Sequence, residues 1–197
     1  MSAFVIGLLL ASPAAGTLEA LLARGPVVSV EADGAGAFAA AVAYVDVEAP
    51  LEKVWPVVAD FGRYQEFVPR VVESDAAPAD GALRVRWEID SPGMNTKYTV
   101  QYTLDERAHA IDGRQVAGDL RGSRWRFELA EPAPGRTRIR YVSKARNFSR
   151  VLDALEDEQQ TMTAGLNVAA AVTLLRALKK RAEGTSAAPG PTAGSSR

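Results

Sequence analysis

The sequence predicts an α+β domain in which a curved antiparallel sheet wraps one long C-terminal helix. Three observations lead there. Four segments between residues 83 and 143 alternate apolar and polar side chains with a period of two, the pattern of strands with one dry and one wet face. Turn residues punctuate the same region at Pro78-Ala79-Asp80-Gly81, Ser91-Pro92-Gly93, Asp112-Gly113 and Pro132–Gly135. After them the period changes, and Ser149–Ala182 carries apolar residues at three- and four-residue steps. The composition agrees: 197 residues, 47% hydrophobic and 24% charged, suffice for one substantial core.

Taken in order, Thr17–Arg24 reads as a short helix with Leu18, Leu21 and Leu22 on one side. Val27–Ala32 and Ala37–Val47 read as strands, and Asp33-Gly34-Ala35-Gly36 supplies the turn of a hairpin between them. Pro50 suits the first position of a helix, where a missing N–H is harmless, and Leu51–Phe61 follows with Val54, Trp55 and Val58 on one face. Pro56 inside that helix must kink it or remove a backbone hydrogen bond. A second short helix is expected near Gly62–Phe67.

The alternating strands come next. Leu83, Val85, Trp87 and Ile89 face one way in Leu83–Ile89, and Arg84, Arg86 and Glu88 the other. Tyr98, Val100, Tyr102 and Leu104 share a face in Thr96–Leu104. Trp125, Phe127 and Leu129 alternate with Arg124, Arg126 and Glu128 in Ser123–Leu129, and Ile139 and Tyr141 with Arg138, Arg140 and Val142 in Thr137–Ser143. The terminal helix is expected to turn Phe148, Leu152, Leu155, Gln159, Met162, Leu166, Ala169 and Thr173 inward. Acidic Asp153, Glu156, Asp157 and Glu158 precede basic Arg176, Lys179, Lys180 and Arg181, an order that complements the helix dipole. At about 30 residues and about 1.5 Å each, such a helix is about 45 Å long and can cross the whole sheet.

The termini read differently. Residues 1–16, MSAFVIGLLLASPAAG, resemble the hydrophobic and cleavage regions of a secretory signal, with a mature start near Ala15–Thr17 and an extracytoplasmic protein, although no Lys or Arg precedes the apolar run. The alternative is an apolar N-terminal helix packed on a cytoplasmic domain. Residues 184–197, GTSAAPGPTAGSSR, lack the apolar surface to offset ordering and read as a disordered tail. The ordered domain is therefore expected over 17–183.

One segment is more specific than any periodicity: VDVEAPLEKVWPVVADFGRYQEFVPRV, residues 45–71. A strand, Ala-Pro, a helix with Val54-Trp55, then Ala59-Asp60-Phe61, Arg63-Tyr64, Glu66-Phe67 and Val68-Pro69 resemble the opening of the polyketide cyclase/dehydrase and coenzyme-Q-binding START-like families. These lie within the helix-grip (Bet v 1-like, SRPBCC) superfamily. The resemblance covers about residues 40–181 and implies two short helices after the first core strand, a sheet gripping the terminal helix, and a cavity for a hydrophobic ligand. It transfers no catalytic motif residue by residue, and this fold hosts many functions.

The remaining chemistry narrows the choice. A net charge of -1 offers no global field for nucleic acid. With no cysteine, thiol nucleophiles and zinc–thiolate sites are excluded. His109 is the only histidine, lies in the polar turn Asp105–His109, and reads as a surface residue; a metal site of several histidines is excluded. Glu156-Asp157-Glu158 fans around a helix start and reads as solvated. No phosphate-binding glycine loop is present, and Asn147-Phe148-Ser149 reads as a chance glycosylation sequon. No cofactor, metal ligand or catalytic residue is assigned. The outer arginines Arg84, Arg86, Arg124, Arg126, Arg138 and Arg140 read as a solvated face, with peripheral membrane docking the alternative.

The inner aromatics are the candidate site. Trp87, Tyr98, Tyr102, Trp125, Phe127 and Tyr141 from the sheet, with Leu155, Gln159, Met162 and Leu166 from the helix, are expected to line a ligand pocket. Small Gly165, Ala169 and Ala170 opposite large rings leave room; a solid core is the competing reading. The function expected is binding or carriage of a lipid-like molecule such as a quinone, fatty acid or polyketide. Alternatives are a cyclase/dehydratase, or an interaction module similar to a ribosome-associated toxin.

Overall fold

The computed structural model describes residues 15–91, 95–145 and 156–186, with side chains of the last helix over 161–184. The expected signal segment up to residue 14, Phe148, Leu152, Leu155, the side chain of Gln159 and most of the tail lie outside the described residues. The elements are α1 (Ala15–Leu22), β1 (Val27–Ala32), β2 (Phe38–Val47), α2 (Leu51–Ala59), a 3₁₀ turn (Phe61–Glu66), β3 (Val71–Ala79), β4 (Ala82–Ile89), β5 (Thr96–Asp105), β6 (Ala110–Gly118), β7 (Arg124–Ala133), β8 (Arg136–Lys144) and α3 (Glu156–Ser186). The described strands make one antiparallel sheet in the order β1-β2-β8-β7-β6-β5-β4-β3, with α2 and α3 packed on it. This is the α+β architecture expected.

The alternation places side chains as read. Val85, Trp87, Val100, Tyr102, Trp125, Phe127, Leu129, Ile139 and Tyr141 are buried. Their register sets Trp87 opposite Tyr98, Ile111 opposite Phe127, and Phe127 opposite Tyr141. On the other face the arginines lie in ion pairs: Arg86 with Asp75, Arg126 with Asp112 and Arg140 with Glu128 across strands, and Arg126 with Glu128 along β7. Arg138 is more enclosed; Asp46 of β2 and Glu19 of α1 both accept from it, at 2.7 Å each. That cluster fastens α1 to the sheet.

Two strands were not legible as alternation. β3 reads VVESDAAPA and lies at the sheet edge, where Pro78 is tolerated because an edge strand need not donate on its outer side. β6 contains Asp112-Gly113, expected as a turn. Gly113 is instead a close approach: a Cβ there would stand 2.6 Å from the Tyr102 ring. The chain reverses earlier, where Asp105 Oδ1 accepts from the amides of Arg107 and Ala108, at 3.1 and 3.0 Å. The reversal between β3 and β4 falls on Asp80 and Gly81, both left-handed at φ 52° and 72°.

The terminal helix also departs from expectation. It rests chiefly on β2, with α2, β1 and β8 at its flanks. Its buried stripe is Asn167, Ala171, Leu175, Leu178 and Ala182. Met162 and Leu166, expected inward, are 38% and 49% exposed, and Ala169 is exposed as well. Asn167 explains the rotation. Its Oδ1 accepts from Ser143 Oγ at 2.6 Å and the Ala145 amide at 3.1 Å, and its Nδ2 donates to the carbonyls of Ala145 and Thr163 at 2.8 and 2.9 Å. A polar residue that satisfies the end of β8 thus faces inward, which apolar periodicity cannot register. The basic residues have a different use from the one expected, since α3 continues to Ser186 beyond them. Lys179 donates to the Asp46 carbonyl at 2.6 Å, and Arg181 lies over the Phe67 ring at 5.4 Å.

Candidate ligand-binding site

The inner face of β4, β5, β7 and β8 forms an aromatic wall. Trp87, Tyr102, Trp125, Phe127 and Tyr141 are each at most 7% exposed, and Tyr98 is half-buried. Tyr98 and Trp125 stack with centroids 5.7 Å apart, and Phe127 meets Tyr141 at 4.6 Å. The strand pairing puts these rings side by side because residues of the same parity share a face.

Two further rings enter from the 3₁₀ turn and were not among the expected site residues. Phe61 stacks on Tyr102 at 4.0 Å with planes 10° apart, and meets Trp87 edge-on at 6.2 Å. Tyr64 approaches Trp87 at 5.6 Å. Their signal was present in Ala59-Asp60-Phe61 and Arg63-Tyr64, which carried the family resemblance but have no periodicity to mark an inward face. From α3, Met162 and Leu166 stand exposed instead of joining this wall.

The polar atoms of the wall are few and neutral. Tyr64 is committed to structure, its hydroxyl donating to the Val58 carbonyl at 2.7 Å. Burial pushes the Tyr98, Tyr102 and Tyr141 phenols above the ordinary tyrosine range, and for Tyr102 and Tyr141 proximity to other phenols adds to it. These groups therefore remain protonated at neutral pH and can donate hydrogen bonds. The indole Nε1–H of Trp87 is buried beside the Tyr102 phenol, whose rise it offsets in part by hydrogen bonding.

Two concavities open on the described surface. One, about 650 Å³, lies where α2, the β5–β6 turn and β7 meet, and is lined by Glu52, Trp55, Glu106, His109, Leu129 and Glu131. His109 sits edge-on to Trp55 at 5.6 Å, half-buried. Its three carboxylates make it unsuited to an apolar chain. The other, about 290 Å³, is lined by Trp87, Tyr98, Thr99 and Gly118 together with the charged side chains Glu73, Arg86, Glu88 and Lys97 of the sheet's other face. Among the described residues no group of three or more His, Cys, Asp or Glu side chains is placed to hold a metal.

Residues 47–172 match the family model described as polyketide cyclase / dehydrase and lipid transport. Among solved structures, the chain is similar to the Zhui aromatase/cyclase of Streptomyces sp. R1128, with 22% identity over 78% of this chain and 98% of that one and a TM-score of 0.67. It is also similar to a START superfamily protein of Mycobacterium smegmatis, with 16% identity, 74% and 98% coverage and a TM-score of 0.59. A Thalictrum norcoclaurine synthase is similar at 10% identity, 82% and 99% coverage and a TM-score of 0.55. At these identities the likenesses show the fold alone. No curated protein sequence matches the chain. With the matched segment running from the end of β2 into α3, the chain belongs to the polyketide cyclase / dehydrase and lipid transport family.

Proposed function

We propose that this protein binds or carries a hydrophobic, lipid-like small molecule of the quinone, fatty acid or polyketide class, seated against the aromatic wall between the sheet and α3. The observation behind the proposal is the convergence of buried rings with protonated phenols. Large rings supply apolar contact, and a few fixed donors orient a ligand, which is how small-molecule sites are commonly built. Native mass spectrometry of the purified protein, followed by solvent extraction, tests it. A co-purifying apolar molecule that leaves on Trp125→Ala supports the proposal. A ligand-free protein that also fails to take up added apolar probes refutes it.

A second reading is a cyclase or dehydratase, favoured by the protonated phenols, any of which could pass a proton to a substrate oxygen. The Zhui neighbour is an aromatase/cyclase. Turnover of a bound poly-carbonyl substrate, lost on Tyr102→Phe while binding persists, would select this reading over simple carriage. The extracytoplasmic placement proposed for the protein rests on residues 1–16 alone.

A further inference from the structure

We propose that β1 pairs edge to edge with β1 of a second copy of this chain, antiparallel, so that one sheet runs through a two-fold symmetric dimer. This is independent of the ligand.

The described sheet has two edges, β1 and β3. An edge strand leaves alternate amides and carbonyls unpaired, and proteins blunt such edges with charge, proline, bulges or a covering element. β3 has all four. It carries Pro78 and the ion pair of Asp75 with Arg86, its register shifts between Val71 and Glu73, and the 3₁₀ turn packs against it. β1 is far less protected. It reads VVSVEA, with one charged residue and no proline, and its last four residues are exposed. Its register shift comes only at the final step, between Glu31 and Ala32. Large apolar side chains stand exposed at this corner, Val30 at 39% and Leu21 of α1 at 42%. The family match begins at residue 47, so this edge is built by residues outside it.

Charge identifies the occupant. Arg24 precedes β1 and Glu31 lies near its end. Neither side chain is in an ion pair or hydrogen bond among the described residues. An antiparallel partner of the same sequence sets the basic end of each strand beside the acidic end of the other. With the two-fold axis at Val28, Glu31 of each copy falls opposite Gly25 of the other, next to Arg24. Val28 then meets Val28, and Val30 meets Pro26. Val28 packs on the core, and Val30 shares its face by the two-residue period, so the pairing covers the exposed valine with apolar surface. No like charges stand opposite each other. A parallel partner in register would set Arg24 against Arg24 and Glu31 against Glu31, which is unfavourable. A six-residue pairing is small beside the roughly 1,200–2,000 Å² of a stable interface, so the dimer is weak, with a Kd on the order of 10 μM.

Sedimentation equilibrium of the full chain in low salt, from about 1 to about 200 μM, tests this. The chain should pass from monomer to dimer. Arg24→Glu or Glu31→Arg alone should weaken association about tenfold, and the two together should restore it to within about twofold, because the exchanged charges again attract. Val30→Lys should abolish association while the circular dichroism spectrum stays that of the parent. A chain that is monomeric throughout overturns the proposal, and so does a dimer indifferent to all three substitutions. A monomer in which every β1 amide resists hydrogen exchange would give the edge to another segment of the same chain, and that result overturns it too.

Discussion

Replacing Asn167 with alanine should loosen the terminal helix from the sheet, and the loss can be worked from the structure. Four hydrogen bonds disappear: two accepted by Oδ1 and two donated by Nδ2. At about 1 kcal/mol net for each, the loss is about 4 kcal/mol. Alanine recovers about 0.5 kcal/mol through better helix propensity, leaving about 3.5 kcal/mol. For a domain of this size that corresponds to a fall in Tm of roughly 7–14 °C. Urea denaturation followed by circular dichroism reads it as a lower midpoint at constant slope. Asn167→Asp separates the two halves of the network. It keeps the acceptor for Ser143 and Ala145 but sets a charge against the Ala145 and Thr163 carbonyls. Burial should hold the new carboxyl's folded pKa above its unfolded value near ~4, so stability is lost as pH rises past that value and returns as pH falls. A loss below about 1 kcal/mol in Asn167→Ala would show that Asn167 does not set the rotation of α3.

Other perturbations test other parts of the account. Gly113→Ala should destabilise by about 1–3 kcal/mol and weaken apolar-probe binding, since its Cβ would collide with the Tyr102 ring; an unchanged melting curve would contradict the close approach. Asp46→Ala strips Arg138 of one of its two carboxylates and should cost about 2–4 kcal/mol by chemical denaturation, while a change under about 0.5 kcal/mol would mean α1 is held otherwise. Alkaline titration should show the buried phenols Tyr64, Tyr102 and Tyr141 ionising only with unfolding. Their folded pKa values lie above the unfolded value near ~10, so stability is intact below that pH and is lost as pH rises beyond it; gradual tyrosinate absorbance in a folded protein would contradict their burial.

Period-two alternation made the wall residues of β4, β5, β7 and β8 legible, because each strand has one dry face. It failed for β3, an edge strand with little apolar contrast, and for β6, where Gly113 accommodates a neighbouring ring instead of turning the chain. In α3 the apolar count pointed to Met162 and Leu166, whereas hydrogen bonding by Asn167 and the docking of Lys179 set the buried face. Phe61 and Tyr64 were visible only as part of a family motif. A 3₁₀ turn offers no repeat long enough to say which side is inward.

Indole N–H resonances offer the most direct test of the central claim, because the three tryptophans divide between the aromatic wall and the cleft at His109. Trp87 and Trp125 belong to the aromatic wall, and Trp55 lines the cleft at His109. With isotope-labelled indoles, titration with 2-methylnaphthalene should shift Trp87 and Trp125 saturably and leave Trp55 in place. Movement of Trp55 alone, or of none of the three, would contradict an apolar ligand site on the wall.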